Sequence, residues 1–171
     1  MPSAEIKNHE KNREFLNALA DPSVAKRLLA EDPNYLHYRS STGETPFHYV
    51  VIENGIPTAA LLVEWGAGIN TQDDFGATPL MHAVRLGYLQ MVKWLIEHGA
   101  SIELRDENGE TVLSSATSNA NEDIFNFLIS LPRKHPVDYY YDDLSAHEIL
   151  NSPDLMMKNR LIKLGLTKRY D

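Results

Sequence analysis

A 33-residue echo runs through the chain. Gly43, Gly76 and Gly109 fall one period apart, and each is followed two residues later by Thr45, Thr78 or Thr111. Self-similarity at this spacing marks a stacked array, in which a supersecondary unit too small to cover its own apolar face repeats until its neighbours cover it. The segment Gly43-Glu-Thr-Pro-Phe47 returns as Gly76-Ala-Thr-Pro-Leu80 and as Gly109-Glu-Thr-Val-Leu113. Likewise Leu62-Val-Glu-Trp-Gly66-Ala67 returns as Leu95-Ile-Glu-His-Gly99-Ala100.

The repeated residues have local jobs. Thr45 and Thr78 suit helix N-caps, and Pro46 and Pro79 then occupy the first helical position, where a missing N–H costs nothing. Gly43 and Gly76 suit the tight turn before each cap, whereas Gly66 and Gly99 suit the left-handed residue that ends a second helix. Apolar pairs recur in that second helix as Leu61-Leu62, Trp94-Leu95 and Phe127-Leu128, with Ile69 and Ile102 following, and these are expected to fill the seam between units. On this register Trp94 reads as core. The flanks keep phase as well. Leu28-Leu29 lie one period before Leu61-Leu62, with Pro33 in the slot of Gly66, and Leu161-Ile162 lie one period after Leu128-Ile129, with Gly165 on the glycine grid. Ser145-Ala-His-Glu148 reads as a capping box, and Ser152 before Pro153 as a second helix start.

This pattern closely resembles the ankyrin repeat. The resemblance implies an all-α solenoid of about five stacked helix–turn–helix units in one domain spanning residues 1–171. Its expected parts are a capping unit over residues 1–39, central repeats over 40–72, 73–105 and 106–138, and a closing unit over 139–171. Degenerate outer units fit the need of terminal repeats to be wet on one side. The family's Thr-Pro-Leu-His run stands as Thr45-Pro-Phe-His48, but reads Thr78-Pro-Leu-Met81 with His82 displaced by one, and then Thr111-Val-Leu-Ser114. The last of these units is therefore expected to be the least regular of the three. It runs through Leu131-Pro132 into the stretch from Arg133 to Asp143, which is too turn-rich for regular helix and reads as a protruding loop.

Composition narrows the function. At 171 residues, five units leave no room for a separate catalytic domain. The 43% hydrophobic content supports a core, but no apolar run is long enough for a bilayer, and the first ten residues lack the apolar stretch of a secretory signal. The absence of cysteine removes disulfides, thiolate metal clusters and thiol nucleophiles, and fits a cytoplasmic protein. Charge is uneven: residues 40–132 carry twelve acidic and three basic side chains, a net of −9, while the whole chain carries −8. A field of that sign repels phosphate backbones and attracts basic protein surfaces, so a protein partner is expected and nucleic acid is not.

In ankyrin proteins the turn tips and the exposed side of the first helix form the usual contact surface. Carried onto this register, the slots include Glu44 and Glu53, then Asp74, Phe75, Arg85 and Leu86, then Glu107 and Glu110, with Trp65 expected near the same rim. A large apolar residue ringed by carboxylates has the composition of a binding hot spot. The alternative is that the acids only solvate the surface while Phe75 packs on a neighbouring turn. His48 and His82 read as hydrogen-bonding residues within the turn. His135, Asp138, His147 and Glu148 match no zinc spacing, and no nucleophile motif or phosphate loop is present, so neither metal, cofactor nor catalytic residues are expected. The Tyr139-Tyr-Tyr141-Asp-Asp143 run suits either docking or packing, and the basic residues from Lys158 to Arg169 suit a solvated cap face. The function expected is a protein-binding module, monomeric when free and not an enzyme, either a small acidic inhibitor or immunity-type protein or an adaptor that bridges two proteins.

Overall fold

The computed structural model describes residues 4–119 and 121–131, and every regular element among them is helical. The helices come in pairs: α1 (Ala4–Ala18) with α2 (Pro22–Glu31), α3 (Pro46–Ile52) with α4 (Ile56–Glu64), α5 (Pro79–Arg85) with α6 (Leu89–Glu97), and α7 (Val112–Ser118) with α8 (Glu122–Ser130). A 3-10 turn, Pro33–Leu36, follows α2. The closing unit over 139–171, the Tyr139–Asp143 run and the His135, Asp138, His147 and Glu148 group lie outside the described residues.

Each helix starts and stops for a reason that can be read locally. Thr78 caps α5, its hydroxyl accepting the Met81 N–H at 3.2 Å, and Pro79 follows at the first helical position. The second helices end on Gly66 (φ 98°) and Gly99 (φ 91°). The next residue closes the turn, Ala67 N–H donating to Leu62 O at 2.8 Å and Ala100 N–H to Leu95 O at 2.9 Å. The first helices end the same way at Asn54 (φ 56°) and Gly87 (φ 77°), one period apart. The glycine grid does not reveal that slot, because asparagine fills it once.

The first helices form the tighter row: α5 packs between α3 and α7, whereas α6 makes fewer contacts with α8. Units that approach more closely on one side curve toward it, so the first helices line the inside of the stack. Between the rows, Leu62, Leu95 and Leu128 are buried, as are Phe47, Leu80, Met81 and Val84. Their pair partners Leu61, Trp94 and Phe127 are only half-buried. One residue is a rotation of about 100° on a helix, so only the second of each pair points into the core. The assignment of Trp94 to the core is corrected accordingly: its ring lies at the core's edge, stacked on His98 at 4.1 Å. Ile69 and Ile102 are half-buried against the same core.

The 106–138 unit, expected to be the least regular, departs from the other two at its end: α8 stops on an extended Leu131 where α4 and α6 run into left-handed Gly66 and Gly99. Its helices nevertheless keep their lengths, α7 and α8 having 7 and 9 residues as do the two pairs before them. The reason is chemical. The Thr45 N–H is accepted by His48 Nδ1 at 3.2 Å, the Thr78 N–H by Met81 Sδ at 3.4 Å, and the Thr111 N–H by Ser114 Oγ at 2.8 Å. Three different side chains thus supply the same acceptor.

At the other end α1 is twice the length of the other first helices and seals the stack. Phe15 stacks on Tyr35 at 5.4 Å, and buried Asn12 donates from Nδ2 to Tyr38 O and Glu44 O, each at 2.9 Å. The Lys11 ammonium donates to Asp32 Oδ2 at 2.6 Å and to the Tyr38 hydroxyl oxygen at 3.0 Å, which raises the lysine pKa and depresses that of the carboxyl.

Candidate functional site

Three turns precede the first helices, and each folds around one acceptor side chain. Asp73 Oδ1 accepts the Phe75 N–H at 2.9 Å and the Ala77 N–H at 2.8 Å, while Asp106 Oδ1 accepts the Asn108 and Glu110 N–H groups at 2.9 Å. Ser40 Oγ takes the same place in the earlier turn, accepting Thr42 N–H and Glu44 N–H at 3.1 Å. Residues 40, 73 and 106 are one period apart, a register that the sequence reading missed because Ser and Asp are ordinary turn residues. The signal was the 33-residue recurrence of a short acceptor three residues before each glycine.

The turns are also stitched to one another. Asp74 N–H donates to Thr42 O at 3.2 Å, and Glu107 N–H to Phe75 O at 2.9 Å. The residue before each acceptor adds a long arm: Arg39 Nη1 donates to Gly43 O at 3.0 Å and to Gln72 O at 2.8 Å, and Gln72 Nε2 to Gly76 O and Arg105 O at 2.6 and 2.8 Å. The tips therefore form a row held at fixed spacing, a pre-organised surface that loses little entropy on contact.

The candidate residues on these tips and at the helix ends are placed unequally. Phe75 is 56% exposed and Leu86, the C-cap of α5, is 45% exposed; they are the large exposed apolar side chains among the described residues. Asp74, Glu107 and Glu53 are exposed as well. The other acids have work inside the fold. Burial opposes the charge of Glu44, but hydrogen bonds from the Ser40 and Thr42 hydroxyls outweigh it and hold the carboxyl below the usual carboxylate range. Glu110 accepts from Arg85 Nη2 at 3.3 Å and from the Ser115 hydroxyl at 3.2 Å, and Arg85 also pairs with Asp106. Trp65 is half-buried against the core at the C-cap of α4. Between α1 and the first turn opens a cavity of about 510 Å³, lined by Asn8, His9, Arg39, Ser40, Ser41, Gly43 and Asp74.

Both histidines bond to turn groups. His48 is fully buried, its Nδ1 beside Thr45 and its Nε2 3.3 Å from Ala77 O, which assigns the proton to Nε2. Burial, with His82 nearby, pushes its pKa down to about 4. His82 Nε2 lies 2.9 Å from Asp73 Oδ2. Among the described residues no group of three or more His, Cys, Asp or Glu side chains is arranged to hold a metal, and no helix is long and apolar enough to cross a membrane.

Comparison with known proteins supports the architecture. A family model described as ankyrin repeats (3 copies) matches residues 14–106 and 50–139. The serine/threonine-protein kinase VIK of Arabidopsis thaliana is 36% identical over 53 residues, which is 31% of this chain and 12% of that protein. The likeness falls in the repeat region.

Proposed function

The chain belongs to the ankyrin-repeat family, and on that premise we propose that this protein-binding module acts as a small acidic inhibitor of immunity type, occluding a basic partner with its row of turn tips. The observation that carries the reading is the pairing of exposed Phe75 and Leu86 with exposed Asp74, Glu107 and Glu53 on the first-helix side of the stack. Folding does not ask for either group. Like charges crowded over residues 40–132 repel one another, and large apolar side chains left in water contribute nothing to the core. A basic partner turns both into gains, the acids by steering encounter and the apolar pair by burial at the centre of the contact.

Glu44, Arg85 and Glu110 shape the turns, and Trp65 sits deeper, so these four frame the site while the exposed five make it. The test is capture from the host's own extract in three arms: wild type, Phe75→Ala with Leu86→Ala, and Asp74→Lys with Glu107→Lys. The reading expects one basic protein held by wild type and weakened in both variants, and loss of that protein's activity when the chain is added back. A partner that is acidic, or held equally in all three arms, sinks it.

A further inference from the structure

We propose that His82 is a positioning residue for the Phe75 anchor, gripping the carboxylate around which residues 73–77 fold and so fixing how Phe75 meets a partner. The inference rests on the reading of that turn as a partner site. Asp73 divides its oxygens: Oδ1 takes the Phe75 and Ala77 N–H groups, and Oδ2 faces His82 Nε2 at 2.9 Å. Its side chain is 1% exposed, so water does not replace a lost partner. A buried carboxylate deprived of its cation or donor is strongly disfavoured, and the turn has to open to hydrate it.

The neighbouring turn shows the same device built from other parts. Asp106 gives Oδ1 to the Asn108 and Glu110 amides and its second oxygen to the Arg85 guanidinium. Arg85 belongs to the preceding unit, whereas His82 belongs to the unit whose turn it holds. The earlier turn uses Ser40, which has no second oxygen to be held. The acceptor carboxylate of the anchor-bearing turn is thus held from that turn's own first helix, and Phe75 is locked on its other side by the Glu107 N–H on its carbonyl.

Amide exchange on the free, full chain tests this without knowledge of the partner. His82→Ala is expected to lower the protection of the Phe75 and Ala77 amides about tenfold more than that of Asn108 and Glu110, the scale of one charge-assisted hydrogen bond. His82→Gln, which carries an N–H able to reach Oδ2, is expected to restore it. Should His82→Ala not fold, His82→Leu, which keeps most of the side-chain volume but has no atom to bond Oδ2, is expected to give the same local loss. Unchanged protection at Phe75, or an equal fall in both turns, overturns the proposal. Capture is read separately: if Phe75→Ala holds the partner as wild type does, the partner-site reading fails while the exchange result stands on its own.

Discussion

The His48 imidazole shows what one buried side chain does to the whole molecule. Its neutral form fits the site, with Nδ1 accepting the Thr45 N–H and Nε2 donating to Ala77 O, and burial lowers its pKa from 6.5 to about 4. The unfolded chain therefore binds a proton that the folded chain refuses between those two values. Stability from this group is fully present above pH 6.5 and is lost as pH falls toward about 4. We expect the urea midpoint to fall across that window, by an amount worth a few kcal/mol at most, and His48→Asn to flatten the fall. Glycine makes a second case. A Cβ on Gly76 (φ 74°) meets Glu107 N at 2.8 Å, whereas one on Gly66 (φ 98°) meets no described atom within 4 Å. Gly76→Ala should thus destabilise by roughly 1 kcal/mol or more beyond Gly66→Ala in chemical denaturation, since among the described residues only the first adds a clash to the strain of positive φ.

The paired apolar residues of the second helices separate core from edge. Leu95 is fully buried, and Leu95→Ala is expected to cost about 2–5 kcal/mol, as truncation of a core leucine does. Trp94→Ala, despite the larger side chain, should cost less, because half-buried Trp94 rests on the exposed His98 ring. Equal losses in denaturant titrations would contradict the placement. The contrast also marks the limits of the sequence. Helices, caps and glycine turns were legible because Thr78, Pro79, Gly66 and Gly99 each have one local role. The rotation of Trp94 off the core was not, since an apolar pair shows that a helix is buried without saying which member faces inward. Nor was the regularity of α7, where Ser114 replaces a histidine through a hydroxyl whose bond depends on the folded turn.

Across the whole molecule, a stack of units presents one continuous row of tips, so its charge acts as a field and its apolar residues as points. The register marked the turn residues Asp74, Phe75 and Glu107 as candidates, and these are exposed. What the sequence withheld was the division between working and available acids. Glu44 and Glu110 are held by hydroxyls and by Arg85, leaving Asp74, Glu107 and Glu53 to face solvent. With the partner in hand, Asp74→Lys with Glu107→Lys should slow association and flatten its salt dependence, whereas Phe75→Ala should mainly speed dissociation. The most direct test replaces Phe75 with a photo-crosslinking phenylalanine analogue in the living host, and in a second strain does the same at Asn126, an exposed position on α8. The account predicts a basic protein joined to the chain from position 75 and not from 126; crosslinking from 126 alone, or an acidic protein captured at 75, would contradict it.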